Sequence, residues 1–170
     1  SGLPPAIHDL ALLYENGTGV PKNYDEAVRW YRKAIDLNYA ASMVNLGILH
    51  EEGKGVERSE VKAAELYKRA ADLGQVNGLH NYGVKLDNGR VVPRNSQLAA
   101  DYVLRALAKG GEFSHRQMLQ NHMAYSVEFR MTMQRRLQQE GLYNGPIDGS
   151  FGPTTQAAIT AYFKRSQPQQ

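Results

Sequence analysis

Apolar and polar residues follow one another along this chain with the period of a helix. In the first stretch the apolar positions lie three or four residues apart, on one helical face; they are Ile7, Leu10, Ala11 and Tyr14. A second stripe follows Gly17 and holds Ala27, Trp30, Tyr31, Ala34 and Leu37. The pattern therefore predicts two helices, the first ended by Gly17 and the second beginning near Asn23.

This helical pair returns every 36 residues, with its turn glycine at Gly17, Gly53 and Gly89. The apolar positions align in three copies: Ile7/Met43/Leu79, Leu10/Leu46/Tyr82, Ala27/Ala63/Ala99, Trp30/Leu66/Tyr102, Tyr31/Tyr67/Val103 and Ala34/Ala70/Ala106. A fixed period of this length is typical of stacked repeats, in which each pair needs its neighbours to complete a core. We therefore predict an all-α repeat solenoid, an architecture used more often for binding than for catalysis.

The C-terminal stretch departs from the repeat. A helix that ends at Gly141 is followed by a glycine-rich turn and a second helix that opens at Pro153, because proline is preorganised for the first helical turn. Within the turn, Asp148 and Gly149 form a pair in which the aspartate bonds backbone amides and the glycine supplies a positive φ. We expect Phe151 to fill the space between the two helices.

Composition supports a packed protein, with 42% hydrophobic and 22% charged residues. The formal charge is +3, divided between a net −2 over residues 1–74 and a net +5 over residues 75–170. No basic stripe interleaved with aromatics is present, so nucleic acid is a poor candidate partner. The absence of cysteine excludes disulfides and thiolate sites. No apolar run is long enough to cross a membrane, and the opening Ser1-Gly2 without a signal peptide favours a piece of a longer protein.

The repeated segment resembles the Sel1-like repeat, a relative of the tetratricopeptide repeat. The first copy carries its signature at Leu10, Ala11, Tyr14, Gly17, Gly19, Val20, Asn23, Ala27, Trp30, Tyr31 and Ala34. The third copy departs, since Val91 replaces the second glycine and its turn should follow a different backbone path. The resemblance covers about residues 4–110 and implies a right-handed α/α superhelix that serves as an adaptor or scaffold for other proteins.

The C-terminal segment looks like the three-helix peptidoglycan-binding domain of cell-wall hydrolases and envelope proteins. Its pattern is occupied by Gln134, Leu137, Gly141, Tyr143, Gly145, Asp148, Gly149, Gly152, Thr155, Ala158 and Tyr162. Tyr162 stands for the usual phenylalanine and Phe163 for the usual glutamine, so the sequence departs from the pattern in the last helical turn and follows it in the loop.

These segments predict two domains. Residues 1–122 hold the repeats (about 4–38, 39–74 and 75–110) and a capping helix at 112–122, and residues 123–170 form a small three-helix domain resembling the peptidoglycan-binding family. The connection at 121–125 is short, which favours a fixed interface over a flexible tether.

The candidate peptidoglycan contacts lie in and beside the glycine-rich loop. Tyr143, Asn144 and Ser150 are polar or amphipathic residues on a glycine-rich loop, where a side chain has less to do for the core, and Thr154 follows the loop. Asp148 is a further candidate, although holding the turn together is its favoured role. Arg135 could meet stem-peptide carboxylates through its forked donors, but a solvated helix face is the simpler interpretation.

Two ladders in the repeats are candidates for binding a partner protein. Polar residues recur at one position of each first helix, Asp9, Asn45 and Asn81. Apolar residues recur close by, at Leu12, Ile48 and Val84. A binding groove requires repeated exposed side chains of this kind, while capping or packing within each repeat is an equal alternative.

The chain shows no constellation typical of an enzyme. Its five histidines match no zinc pattern, and neither a Gly-x-Ser-x-Gly elbow nor a catalytic triad stands out. We therefore predict no metal, no cofactor and no catalysis.

Together the two resemblances imply a non-catalytic scaffold of the bacterial periplasm or envelope, which binds a partner protein through its repeats and peptidoglycan through its C-terminal module. The combination also resembles the periplasmic end of PodJ-type polarity proteins, which organise a cell pole. One alternative is the accessory region of a hydrolase or protease whose catalytic domain lies elsewhere. Another is a structural protein whose terminal module no longer binds the wall.

Overall fold

In the computed structural model, which describes residues 2–165, the chain consists of helices joined by short turns and, over residues 140–152, by a longer loop. They are α1 (Leu3–Asn16), α2 (Tyr24–Asp36), α3 (Ala40–Glu52), α4 (Glu60–Asp72), α5 (Val76–Asn88), α6 (Ser96–Ala108), α7 (Glu112–Gln120), a short 3-10 helix (His122–Ala124), α8 (Val127–Gln139) and α9 (Pro153–Lys164). No strand occurs among these residues. The predicted all-α class is confirmed.

The 36-residue period reappears in the capping of the helices. The side-chain oxygens of Asn23, Ser59 and Asn95 each accept a hydrogen bond from the backbone N–H three residues further on, at 3.1, 3.3 and 2.9 Å. These bonds satisfy amides that the first turn of a helix leaves without an intrahelical partner. The second helix of every pair therefore begins at an equivalent residue.

The turn glycines repeat as well, with Gly17, Gly53 and Gly89 at φ values of +73°, +68° and +67°. The next turn position distinguishes the third copy. Two residues after the turn glycine, the first two copies have Gly19 and Gly55, both at positive φ. Val91 does not share that conformation, because Asn38 is the one non-glycine residue with positive φ in the described chain. The different path predicted for the third turn is confirmed.

The chain divides into two compact units, one ending at Gly78 and the other beginning at Leu79. In the first unit α1 packs on α2, and α3 packs on both α2 and α4. Gly47 lies against the ring of Tyr67 so closely that an added Cβ would be 2.5 Å from Tyr67 Cε1. The packing at this helix crossing therefore requires a residue without a side chain.

The second unit contains the third repeat from Leu79 onward, α7 and the C-terminal helices. Helix α8 packs on α6, and α9 packs on α6, α7 and α8. Its fully buried apolar side chains come from all of these elements: Leu79, Leu107, Met118, Phe129, Met133, Leu137 and Ile159. Phe151 is buried as expected. The boundary predicted between residues 122 and 123 separates two sequence patterns and remains a prediction.

Candidate functional site

The glycine-rich loop between α8 and α9 is organised by one buried amide. Gln134 is 0% exposed, and its Oε1 accepts a hydrogen bond from Gly149 N at 2.8 Å. Its Nε2 lies within hydrogen-bond distance of four acceptors: Ser150 O at 2.9 Å, Asp148 Oδ1 at 3.1 Å, Tyr143 Oη at 3.2 Å and Thr155 Oγ1 at 3.3 Å. Because the amide reaches every part of the loop from within, it determines the loop's shape.

Tyr143 takes part in this internal network. Its ring is buried, with 6% exposed, and its hydroxyl donates to Pro146 O at 2.7 Å. Gly145 lies directly beside it, where an added Cβ would be 2.5 Å from the Tyr143 hydroxyl. The structure therefore places this candidate contact residue largely inside the module.

Asp148 is exposed but held in place by the loop. Its Oδ1 accepts from Gln134 Nε2 and from Ser150 N, the latter at 2.8 Å. These hydrogen bonds stabilise the carboxylate and lower the pKa of Asp148 below its ordinary value, and the bond from Gln134 has the largest effect. The contacts correspond to the turn-holding role.

The structure brings four of the six candidate peptidoglycan contacts to one pocket of about 170 Å³, namely Tyr143, Asp148, Ser150 and Thr154. Ser150 and Thr154 are exposed. Asn144 is also exposed but is not part of the pocket lining. Arg135 lies elsewhere and lines a separate polar pocket of about 230 Å³ with Arg136.

In the first unit, some ladder residues are accessible to solvent and others take part in packing. Asp9 is exposed, and Leu12 and Ile48 are half-buried. Asn45 donates through Nδ2 to Tyr31 Oη at 2.9 Å, and the Tyr31 hydroxyl donates in turn to Glu15. Asn45 therefore has a packing role in the first unit. In the second unit, Asn81 and Val84 are both half-buried.

A tyrosine–carboxylate pair recurs in the first two repeats. The Tyr31 hydroxyl donates to Glu15, and 36 residues later the Tyr67 hydroxyl donates to Glu51 at 2.8 Å. Burial is the main cause that raises the pKa of both tyrosines above the ordinary value, so both remain neutral donors. The pair belongs to the architecture of the repeat.

The third repeat replaces this pair by a junction with the C-terminal module. Val103 stands at the tyrosine position, and Asp87 stands at the carboxylate position. The Asp87 carboxylate accepts from Ser126 N at 2.7 Å, from the Ser126 hydroxyl and from the Ser96 hydroxyl at 3.3 Å. Ser126 also caps α8 by accepting from Phe129 N at 3.1 Å. One buried carboxylate thus holds the start of the module.

Further contacts reinforce this junction. The Tyr125 hydroxyl lies 3.1 Å from His80 Nε2, and Arg136 forms a 2.7 Å ion pair with Asp101. Burial lowers the pKa of His80 to about 4, which keeps its imidazole neutral. The module shares one compact unit with the third repeat, which is consistent with the fixed interface predicted from the short connection.

The histidines serve the packing of the molecule. His8 Nδ1 lies 2.9 Å from Ser42 Oγ, and His115 stacks on Phe163 with its Nε2 3.0 Å from Thr160 Oγ1. Within residues 2–165, no three potential metal ligands come together. None of the helices described has the length and apolarity to cross a bilayer.

These features define a helical-repeat protein that carries a small loop-bearing module on its third repeat. The family model of the Sel1 repeat matches residues 4–39, 40–75 and 76–111, and that of the peptidoglycan binding domain matches residues 126–167. The chain therefore belongs to the Sel1 repeat family and carries a peptidoglycan-binding domain at its C-terminal end. Both are typically non-catalytic binding modules.

Solved structures agree with this assignment. The chain is similar to the crystal structure of a Sel1 repeat protein from Oxalobacter formigenes, with 30% identity and a TM-score of 0.62 over 69% of this chain and 89% of that one. It also shares its fold with c5321, a protective antigen present in uropathogenic Escherichia coli strains, with 22% identity and a TM-score of 0.62. That similarity covers 97% of this chain but 38% of c5321. Comparison with curated protein sequences finds no match.

Proposed function

We propose that this protein is a non-catalytic scaffold of the bacterial envelope that binds peptidoglycan through the loop between α8 and α9. The observation that carries the proposal is the loop itself. It belongs to a domain of the peptidoglycan-binding family, and Gln134 determines its shape. This arrangement leaves the side chains of Ser150 and Thr154 exposed beside a pocket of about 170 Å³. Polar side chains on a preorganised loop bind a ligand without a large ordering cost.

The junction at Asp87 supports a mechanical role for the module. Because its hydrogen bonds join the module to the third repeat, wall contact at the loop would hold that repeat in place as well. Weak contacts to a polymer become effective when many copies act together. We therefore infer that the protein anchors an assembly at the wall.

Sedimentation with purified sacculi tests the wall-binding arm. The full chain is compared with the double variant Ser150→Ala/Thr154→Ala and with the matched control Gln120→Ala/Gln138→Ala, which removes two exposed side chains of the same unit outside the 170 Å³ pocket. We expect the loop variant to pellet less than the parent at physiological salt, and the control to pellet with the parent. Equal pelleting of all three proteins, or none by the parent, would contradict the proposal.

The repeats provide the second binding function, and we propose that they bind an envelope protein. Asp9 is exposed and Leu12 is half-buried on the first helix, so a partner can reach this part of the ladder. A photo-crosslinking residue at position 9 should trap a periplasmic partner in cells, whereas the same residue at Asp36, on α2, serves as the control. Identical products from both positions would refute a specific surface at Asp9.

We also propose that the protein acts at one cell pole. A scaffold that anchors at the wall and binds a partner is suited to organising one cell pole, which a fluorescent fusion of the full-length protein would test. A uniform peripheral signal would argue against the polar role. A hydrolase or protease domain encoded in the same full-length gene would favour the accessory-region alternative.

A further inference from the structure

A second pocket lies on the other flank of Asp148 and Ser150. It has a volume of about 380 Å³ and is lined by the connection before α8, by α8 itself and by the loop between α8 and α9. The lining residues are His122, Met123, Arg130, Asp148, Gly149, Ser150, Phe151 and Gly152. The sequence analysis predicted no contact residue on the side of α8 that lines this pocket.

Arg130 distinguishes this pocket. The side chain is 8% exposed, and its Nε has no hydrogen-bond partner in the described part of the chain. One terminal nitrogen meets Met123 Sδ, which is a weak acceptor. No carboxylate or carbonyl oxygen among residues 2–165 accepts from this guanidinium. A buried cation without an anionic partner is costly, so an acceptor from outside the chain would stabilise this guanidinium.

The neighbouring side chains indicate which acceptor fits. The guanidinium is a planar fork that matches the two oxygens of a carboxylate. Met123 covers it but is itself 72% exposed, and its flexible side chain can move aside for a stronger acceptor. Asp148 lies on the same pocket with a lowered pKa, so it is ionised and disfavours a ligand with several negative charges. The site therefore suits a single carboxylate better than a phosphate.

We propose that this pocket binds a carboxylate of the peptidoglycan stem peptide, with Arg130 as its anchor. The ring of Phe151 and the thioether of Met123 offer apolar walls to the methyl groups of alanine residues in the peptide. This inference rests on the proposed function and adds to it the part of the polymer that is recognised, namely peptide rather than sugar.

The Nε–H of Arg130 provides a direct readout in the unmodified protein. In the full chain labelled with ¹⁵N at arginine, its resonance should shift when a disaccharide-tetrapeptide released from sacculi is added. The same muropeptide with its carboxylates converted to amides should leave the resonance in place. A shift of equal size with inorganic phosphate would overturn the assignment to a carboxylate.

Binding by variants gives an independent test. Arg130→Gln should bind the disaccharide-tetrapeptide about tenfold more weakly or worse, the usual effect of losing a charged hydrogen bond. Arg130→Lys keeps the charge without the fork and should fall between Arg130→Gln and the parent. Arg116→Gln removes an exposed arginine of α7 and should bind as the parent does. Thermal unfolding of each variant checks that the fold is intact.

The outcomes separate this inference from the proposed function. If Arg130 Nε–H stays unmoved while backbone amides of residues 143–155 shift, the module binds peptidoglycan elsewhere and only the Arg130 inference fails. Unchanged affinity of Arg130→Gln leads to the same conclusion. If no amide shifts and the full chain does not sediment with sacculi, both the inference and the proposed function fail.

Discussion

Replacement of Asp87 offers the sharpest test of how the module is attached. The carboxylate is 3% exposed and receives hydrogen bonds from Ser126 N, Ser126 Oγ and Ser96 Oγ. Asp87→Ala removes the acceptor for all three donors, of which the part-buried Ser126 amide makes no other hydrogen bond in the described chain. We expect a loss of about 3 kcal/mol in the free energy of unfolding, since breaking a buried charged network costs about 3–5 kcal/mol and relief of the buried charge offsets part of it.

Asp87→Asn provides an intermediate case. The amide keeps the shape and one acceptor oxygen but loses the charge and places an NH₂ against a donor. We expect it to cost about 1–2 kcal/mol, less than the alanine variant. The control is Asp36→Ala, an exposed aspartate on α2, which should change the free energy by no more than about 0.5 kcal/mol.

Urea unfolding followed by circular dichroism measures these differences, and hydrogen exchange locates them. The loss of protection should be concentrated in residues 79–165, at the start of α8 in particular, because Asp87 and its partners lie in the second unit. A double-mutant cycle with Ser126→Ala isolates the hydroxyl-to-carboxylate bond. If Asp87→Ala costs no more than Asp36→Ala, the junction does not hold the module and the reasoning is wrong.

Three further predictions follow from the packing and the pKa values. Gln134→Leu removes the amide that determines the loop and should cost about 2–4 kcal/mol, read as a lower thermal midpoint and loss of amide protection in the loop. Gly47→Ala places a Cβ 2.5 Å from Tyr67 Cε1 and should cost about 1–3 kcal/mol in urea unfolding. His80 has a folded pKa of about 4, below its unfolded value, so its contribution is complete above the unfolded pKa of 6.5 and is lost, by about 3 kcal/mol in total, as the pH falls from 6.5 to 4. His80→Gln should flatten the dependence of stability on pH in that window, and an unchanged slope would contradict the assignment.

Much of the fold could be predicted because the signals act locally. The helical period, the turn glycines and a polar residue before each second helix depend on neighbours a few residues away, and Asn23, Ser59 and Asn95 all cap as such residues do. Val91 could be interpreted for the same reason, since a β-branched side chain disfavours the positive φ that the glycines supply.

The site was harder to predict because burial decides which loop residues face a ligand. Tyr143 and Ser150 both lie in a polar turn, yet one is buried against Gly145 while the other is exposed. Gln134 was visible as part of a pattern, but its central role depends on acceptors 9 to 21 residues away. Arg130 could not be predicted as a site residue, because an arginine on an amphipathic helix is ordinarily solvated and this one lies between residues 122–123 and the loop, which are distant from it in sequence or packed on it only in the fold.

The third repeat explains why the last part of the repeat array and the C-terminal module form one compact unit here. In the first two repeats the carboxylate at the end of the first helix is engaged by a tyrosine of the second. With Val103 in that position, the carboxylate of Asp87 has no tyrosine to accept from and instead receives the first amide of the module. The departure of the third repeat from the tyrosine–carboxylate pair thus coincides with the attachment of the module, since the carboxylate that loses its tyrosine is the one that binds Ser126.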